Sequence, residues 1–442
     1  MTTVRDHELG AALRELGAPE HRPEFHAELH RRLAAERAVR PRGRRRFRWT
    51  VRAVALAAVL ALAAVAYDAL RSERTDVATI VQQANAAVVK TKVLKAMSET
   101  RALSGHFVSI ERDPFTDTTD RARGEFVLLA DGSFAVKTGE IEEAYDARRR
   151  VSSLYDPSPG SRPFAHRARG LASGPPDTYV DSAFQRELGS VVRALRGMGD
   201  PRVVTEKHAG RQVWSLSAPV RQDRLAGEGY SPDHLEVKVD VETGIPLYAR
   251  WTVDGKLRRE LRIPTVDLNA DVPHTELTVD VPRGVAVSTS NQGFDRVELD
   301  EVQSVVGYAP LVPSWLPDGY ELADVTVARR GGPTGSEAMN PQAPDVASLL
   351  YRRGFDRIVL STRVAITGDW SDPLATGEGF VDRPERIRLK RGALSGVEAN
   401  LLIVPLAIPH IWALTDQLVV TVAGDLDRDE LLRVAESLGA RR

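Results

Sequence analysis

The sequence predicts an α+β protein that is held in a membrane by one helix. Two observations carry this prediction. A single uncharged, apolar segment, Ala53 to Tyr67, interrupts an otherwise polar chain of 442 residues. From about residue 105 onward, short stretches of alternating apolar and polar residues are separated by turn signals, with a few amphipathic helices among them. This mixture is typical of antiparallel sheets with helices packed on them.

The composition restricts the classes of function. Hydrophobic residues make up 42% of the chain and charged residues 27%, which is typical of a globular protein. The formal net charge of −1 gives no whole-protein reason to expect nucleic-acid binding. The absence of cysteine excludes disulfides, thiolate zinc sites and cysteine nucleophiles.

The apolar segment is predicted to cross the membrane as residues 49–70. Counting from Trp49 to Tyr67 gives about 28 Å of helix, provided that Arg52 extends its guanidinium to the headgroups. The two aromatic residues would then lie in the interfacial belts. Two alternatives stay open, namely a cleaved signal peptide, because 64–66 matches the A-x-A pattern, and a buried core helix.

The charges on either side of this segment predict its orientation. Residues 38–52 carry seven arginines and no acid, whereas residues 68–76 carry two arginines and three acids. The positive-inside rule places the N-terminus in the cytoplasm. We therefore expect a single-pass protein of the cell membrane with most of its chain outside the cytoplasm. The residues assigned to this topology are Arg44, Arg45, Arg46, Arg48, Trp49, Arg52 and Tyr67.

Two folded domains are predicted outside the membrane. The first, residues 75–284, combines short strands with an amphipathic helix near residues 181–198. The second, residues 295–442, is a small α+β domain that ends in the helix DRDELLRVAESLGA. The polar residues 283–294 are interpreted as a linker between them.

A helix is also predicted directly after the membrane segment. Apolar residues from Val77 to Met97 recur at helical spacing. Two interpretations remain, a helix that packs on its own domain and a stiff connector that transmits movement from the membrane.

Part of the outer region resembles a known family. The strand-turn-strand DHLEVKVDVETGIPLYARWTVDGKL resembles the end of a LolA/RseB-like half-barrel, in which a Val-Asp-x-x-Thr-Gly-x-Pro turn recurs. The matching residues are Val239, Asp240, Thr243, Gly244 and Pro246. The region from VGYAPLVPSWLPDGYELADVTV to the last helix resembles the small C-terminal domain of RseB/MucB-like and anti-sigma-associated outer proteins. The resemblance covers residues 75–442.

The resemblance implies a curved sheet that wraps half around an apolar cavity. Such a sheet senses or carries lipids, lipoproteins or a partner's peptide, and in the RseB branch it regulates an anti-sigma factor. The family has no invariant catalytic residue. RseB-like proteins are usually soluble in the periplasm, whereas this sequence predicts a tether, which makes a fused sensor plausible and argues against soluble shuttling.

The arm that precedes the membrane segment, residues 1–48, is predicted to carry two apolar helix faces separated by prolines. An arm of this length buries little apolar surface by itself, so a helix-in-groove partner such as a sigma factor or another regulatory protein would cover these faces. A plain tail for membrane insertion is the alternative. The candidate partner-binding residues are Leu9, Leu13 and Leu16 on one face and Phe25, Leu29 and Leu33 on the other.

The sequence contains no recognisable catalytic, cofactor or metal motif. It lacks a G-x-S-x-G elbow, an S-x-x-K motif and a Walker loop, and His26 and His30 have no evident third ligand. We therefore expect a sensor or regulator without enzymatic activity, linked to sigma/anti-sigma signalling. The alternative is a tethered carrier of lipids or lipoproteins of the LolA type, and a cell-envelope hydrolase is the third possibility.

Overall fold

A curved sheet of twelve strands, here called the first sheet, carries two helices on one face. The computed structural model describes residues 85–113, 116–157, 163–171, 182–219, 233–273, 277–328, 345–365, 384–403 and 408–440. The helices are α1 (Ala86–Glu99) and α2 (Ala183–Gly197). The strands are β1 (Ala102–Arg112), β2 (Thr119–Leu129), β3 (Phe134–Thr138), β4 (Ile141–Asp146), β5 (Val151–Asp156), β6 (Phe164–Arg169), β7 (Val203–His208), β8 (Arg211–Pro219), β9 (His234–Asp240), β10 (Pro246–Val253), β11 (Lys256–Leu268) and β12 (Val287–Asn291).

The first sheet is antiparallel almost throughout. Its strand order is β12-β6-β5-β4-β3-β2-β1-β11-β10-β9-β8-β7, and only β12 runs parallel to its neighbour β6. The two longest strands, β1 and β11, pair in the middle of the sheet. Their register shifts between His106 and Val108, and that of β10 with β11 shifts between Trp251 and Thr252. Such irregularities bend strands and increase twist, so they favour a sheet that curves around its helices.

Both helices bury an apolar stripe against the same face of the first sheet. The buried residues Val89, Val93 and Met97 recur every four positions in α1, which is the spacing of one helix face. The helix begins at Ala86, capped by Asn85, rather than running on from residue 77, and this described part packs on its own domain. Residues 77–84 of the predicted helix lie outside the described residues. Helix α2 begins at Ser182, whose side chain forms a reciprocal capping box with Gln185. The two stripes and the sheet form one apolar core.

The turn that carries the family resemblance is organised by one buried carboxylate. Asp240, which is 2% exposed, accepts hydrogen bonds from the backbone N–H and the hydroxyl of Thr243. Arg211 pairs with the same carboxylate at 2.8 Å. Gly244 adopts a φ of 78°, and a Cβ on it would lie 2.9 Å from the carbonyl oxygen of Lys92 in α1. The motif therefore closes the β9–β10 hairpin and seats it against α1.

A sheet of eight strands, the second sheet, carries its own core. It is ordered β13-β15-β16-β17-β21-β20-β19-β18, while β14 and β22 form a separate pair. Helices α3 (Val302–Val306) and α4 (Arg428–Glu436) and a 3-10 turn, Gly392–Leu394, cover this core. The strands are β13 (Asp295–Arg296), β14 (Leu311–Pro313), β15 (Glu321–Ala328), β16 (Val346–Arg353), β17 (Asp356–Val364), β18 (Glu385–Arg388), β19 (Glu398–Leu402), β20 (His410–Leu414), β21 (Leu418–Gly424) and β22 (Leu438–Ala440).

The structure differs from the sequence interpretation at two places. Within the stretch 283–294, interpreted as a linker, Val287–Asn291 forms the edge strand β12, because an edge with both faces exposed tolerates a polar sequence. The last helix is shorter than predicted. It ends at Glu436, and Leu438–Ala440 turns back to pair with β14.

The predicted membrane segment and cytoplasmic arm lie outside the described residues. Within the ranges that the structure describes, we find no helix with both the length and the hydropathy required to span a bilayer. The mostly antiparallel sheets with a few helices agree with the predicted α+β class and with a half-barrel around an apolar core.

Candidate functional site

None of the site residues predicted from the sequence falls in the described part of the chain. The apolar faces of the arm and the topology residues, all within residues 1–84, are outside it. Among the described residues, no group of three or more metal-ligating side chains comes together. The candidate site found in the structure is the helix-covered face of the first sheet, here called the inner face.

Three phenylalanines form an aromatic cluster between α2 and the inner face. The ring of Phe184 in α2 lies 4.2 Å from that of Phe126 in β2 and 4.6 Å from that of Phe107 in β1. Gly124 is the cross-strand neighbour of Phe107, and a Cβ there would lie 2.4 Å from the Phe107 ring. The glycine therefore makes room for the ring. These rings are only 2–4% exposed, so the aromatic cluster is part of the apolar core that α2 closes over the inner face.

A carboxyl group lies beside the aromatic cluster. Glu187 stands one helical turn after Phe184, and its Oε1 atom is buried without a hydrogen-bond partner among the described residues. Burial raises the pKa of Glu187 to about 7, the positive charge of Arg259 opposes this shift, and Glu111 adds to it. Arg259 itself pairs with Glu111 at 3.2 Å. The inner face therefore contains an acid with one oxygen that no described residue hydrogen-bonds, and Arg259 is the cation whose charge acts on it.

A second acid, Glu143, lies on the inner face in the cross-strand row that contains Phe126. The strand register places Phe126, Val136 and Glu143 side by side across β2, β3 and β4. Burial raises the pKa of Glu143, and the charge of Arg186 in α2 opposes the shift. The polar part of the inner face thus contains two acids, and the charge of an arginine acts on each of them.

The opposite side of α2 is attached to the second sheet by ion pairs. Arg193 lies 3.3 Å from Asp425, and Arg196 lies 3.8 Å from Asp356 and 3.7 Å from Glu430. Arg196 also donates a hydrogen bond to the backbone carbonyl of Asp425. The side chains of Arg193, Arg196 and Asp356 are 10%, 13% and 4% exposed, so the pairs with Asp425 and Asp356 are shielded from water, whereas Glu430 is 35% exposed. These five residues are called the ion cluster below.

The hairpin turn between β16 and β17 makes a second junction between the sheets. The backbone N–H of Phe355 donates to the carbonyl of Met97 in α1 at 3.0 Å, and its side chain packs against the core of the first sheet. Next to it, Gly354 has a φ of 56° and touches the backbone of Ser98. Each helix that covers the inner face therefore also contacts the second sheet.

The ion cluster contains an acid with a shifted pKa. Burial and the neighbouring Asp425 raise the pKa of Asp356 to about 6, against the opposing effects of Arg353 and Arg196. The folded value lies above the unfolded value of about 4. The ionised, buried carboxylate therefore lowers stability above about pH 6, and this cost disappears as the pH falls from about 6 to about 4.

We expect Asp356→Asn to remove this pH dependence. In the unmodified protein, the contribution of Asp356 to the free energy of unfolding rises by about 2 kcal/mol as the pH falls from about 6 to about 4. An amide does not titrate, so the variant should lack this rise. Urea unfolding of both proteins at several pH values gives the difference curve. A constant difference between about pH 4 and pH 7 would contradict the assignment, since only the substituted group distinguishes the two proteins.

Sequence reasoning missed Glu187 and the ion cluster for different reasons. Glu187 interrupts the apolar stripe of α2, three residues after Phe184 and four before Val191, and this signal was available in the sequence. Arg193 and Arg196 resemble ordinary solvated helix arginines, because their partners are distant in the sequence. Arg193 and Asp425, for example, are 232 positions apart.

Known structures provide the comparison. No family model matches the sequence, and no curated protein matches it either. The structure is similar to MucB in complex with MucA(peri), with 18% identity, 81% of this chain and 99% of that chain covered, and a TM-score of 0.28. It is also similar to MucB of the Pseudomonas aeruginosa MucA/MucB complex, with 18% identity, coverages of 80% and 99%, and a TM-score of 0.29.

A shorter similarity involves a LolA superfamily protein from Nitrosomonas europaea. Its identity is 13%, it covers 45% of this chain and 99% of that chain, and its TM-score is 0.20. At these identities and TM-scores the similarity concerns the fold alone. The sequence resemblance pointed to the same group of LolA/RseB-like proteins.

Proposed function

We propose that the chain is a membrane-anchored, extracytoplasmic sensor or regulator without enzymatic activity. In this proposal the inner face binds a hydrophobic ligand or a protein segment, and α2 communicates its presence to the second sheet. The supporting observation is that α2 places Phe184 on the inner face and, on its opposite side, holds the second sheet through Arg193 and Arg196. A ligand that shifts α2 would therefore disturb the ion cluster.

The parts outside the described residues complete the proposal. Residues 49–70 anchor the protein in the cell membrane as a single span, with the N-terminus in the cytoplasm. The arm, residues 1–48, then binds a sigma factor or another regulatory protein. The MucB structures named above contain MucA as a bound protein, and we propose a protein partner for this chain as well. Nucleic acid is not part of the proposal.

A tethered carrier of lipids or lipoproteins is the second candidate function. The aromatic cluster favours it, because an acyl chain that displaced α2 would meet an apolar surface whether or not the signal is passed on. The arm discriminates between the two functions, since a carrier uses it only for membrane insertion.

We expect Leu13→Asp to release a sigma factor or regulatory protein from the full-length protein isolated in membranes. A charge in an apolar helix face that is buried by a partner costs several kcal/mol, so recovery of the partner should fall by more than about tenfold. Ala18→Asp is the matched control, because a helix through this segment would place residue 18 half a turn away from the face of residues 9, 13 and 16. Quantitative mass spectrometry of the two isolates measures the difference.

The outcomes separate the candidates. A defined regulator that is lost from Leu13→Asp and kept by Ala18→Asp supports the sensor. Equal recovery from both variants, with a lipid still bound to the purified protein, leaves the carrier. Absence of any bound lipid or specific protein would contradict both functions.

A further inference from the structure

Strand β12 is an open edge of the first sheet. The backbone N–H of Gln292, the residue after β12, donates to the carbonyl of Arg169 in β6 at 2.9 Å. Because backbone groups along a strand alternate in direction, those of Val287, Thr289 and Asn291 face away from β6. No described residue forms a hydrogen bond with these outward N–H and C=O groups. They are therefore available to a further strand.

The composition of β12 leaves this edge unprotected. Edge strands usually carry charged residues that discourage pairing with another chain. The other edge strands of the two sheets, β7, β13 and β18, each contain at least two charged residues. β12 contains none, and four of its five residues are exposed. Among the described edges of the two sheets, β12 is therefore the one suited to accept an added strand.

Two arginines beside this edge have no acidic partner. Arg167 and Arg169 lie in β6 opposite Thr289 and Asn291, and both are exposed. Ala168, between them, is buried in the core of the first sheet, so both arginines lie on the opposite face, here called the outer face. Neither forms an ion pair with a described residue. The outer face beside β12 is therefore positively charged.

These arginines select the kind of strand that fits. An arginine side chain is longer than the spacing of about 4.8 Å between neighbouring strands, so it can extend across β12 to a strand beyond it. Every second side chain of that strand would lie on the outer face, and an acid there would meet an arginine. A second copy of β12 would bring only uncharged side chains and two more arginines. Charge complementarity therefore favours an acidic segment of another protein.

We propose that β12 is a docking edge for an extended, acidic segment of another protein, which adds to the first sheet as a further strand. Its backbone pairs with Val287, Thr289 and Asn291, and acidic side chains at alternate positions pair with Arg167 and Arg169. In this mode of recognition the backbone bonds supply affinity and the side chains supply specificity. The inference is independent of ligand binding beneath α2 and of any partner of the arm.

Three short synthetic peptides, each long enough to span β12, test the docking edge. The first alternates glutamate with valine, the second alternates lysine with valine, and the third is the glutamate peptide with N-methyl groups on two adjacent central residues. Each carries an uncharged fluorophore and is titrated by anisotropy with the full-length protein in nanodiscs of zwitterionic lipid, with empty nanodiscs as the blank.

The glutamate peptide should bind most tightly. The lysine peptide should bind about tenfold more weakly, because attraction to two arginines becomes repulsion. N-methylation removes one N–H from each edge of the peptide, so it should weaken binding by more than about tenfold.

The arginines are tested by a double variant, Arg167→Gln with Arg169→Gln. We expect it to bind the glutamate peptide about three- to tenfold more weakly, because two exposed charge pairs are lost. The matched control is Arg121→Gln with Arg123→Gln. These exposed arginines are also two positions apart on the outer face, but they lie in β2, which four other strands separate from β12. The control removes the same charge and should bind the peptide as the unmodified protein does.

Hydrogen exchange measures the addition of a strand directly. In the protein alone, the amides of Thr289 and Asn291 should exchange rapidly, and a saturating amount of the glutamate peptide should slow them by more than about tenfold. Thr289→Pro removes one outward N–H at an edge position, where proline is tolerated. We expect this variant to keep its thermal transition and to bind the glutamate peptide more than about tenfold more weakly.

Each outcome decides one part of the proposal. Equal binding of the glutamate and lysine peptides, or unchanged binding by the double variant of Arg167 and Arg169, would refute the preference for an acidic segment. If the glutamate peptide does not bind, or binds without slowing the two amides, the docking edge itself is refuted. If these amides are protected in the protein alone and the protection falls on dilution, a second copy covers the edge and the proposal is wrong. None of these results alters the test of the proposed function with Leu13→Asp.

Discussion

Replacing Arg196 with alanine is expected to lower the free energy of unfolding by about 3–5 kcal/mol, because it removes one partner from a buried set of charges. Arg196 holds Asp356 and Glu430 and also donates to the carbonyl of Asp425. Asp356 is buried in the ion cluster and, when Arg196 is absent, keeps its pair with Arg353 at 2.9 Å. The buried acidic charge that is left with fewer partners, rather than the loss of attraction, causes the destabilisation.

The matched control is Arg388→Ala. Arg388 pairs with Glu398 at 3.4 Å, and both side chains are 69% exposed, so water and ions screen the pair. Its loss should cost less than about 1 kcal/mol. Urea unfolding of both variants, followed by signals from each sheet, measures the two values. If Arg196→Ala costs no more than Arg388→Ala, the ion cluster does not hold the sheets together.

The sequence predicts the local parts of this fold well because their causes are local. The Val-Asp-x-x-Thr-Gly-x-Pro turn could be recognised since Asp240 binds Thr243, three residues away, and Gly244 supplies the positive φ. The last helix could be placed from Asp427, whose capping box with Glu430 spans the same short distance. Each of these features needs only a few neighbouring residues.

The contacts between the sheets could not be predicted in this way. The partners in the ion cluster come from α2 and from chain segments that follow β16 and β21, so the pairing depends on the whole topology. Strand β12 was missed for a related reason. Its sequence, Val-Ser-Thr-Ser-Asn, has no apolar alternation, and its place is set by parallel pairing with the distant β6.

We expect Gly354→Ala to destabilise the protein far more than the same change at another hairpin glycine. Gly354 and Gly255 both lie in two-residue turns and have φ values of 56° and 72°. An alanine in this region costs about 1 kcal/mol by itself. At Gly255 a Cβ meets nothing within 4 Å, so the cost should stop there.

At Gly354 the Cβ would lie 2.4 Å from the carbonyl oxygen of Ser98 and 2.6 Å from that of Met97. Both atoms belong to the backbone at the end of α1, so neither moves aside as a flexible side chain would. The turn must therefore withdraw from α1. The hydrogen bond from the Phe355 N–H to the Met97 carbonyl breaks, and the Phe355 side chain loses its contact with the first core. We expect a total cost of about 3–4 kcal/mol.

Hydrogen exchange at the Phe355 amide distinguishes withdrawal of the turn from a general loss of stability. In the unmodified protein and in Gly255→Ala, this amide should be protected, because its N–H is bonded to a buried helix end. In Gly354→Ala it should exchange rapidly, while amides in the middle of β1 and β11 stay protected. If the Phe355 amide remains protected in Gly354→Ala, the turn has not moved. The junction between α1 and the second sheet then accommodates the added Cβ, and the prediction is wrong.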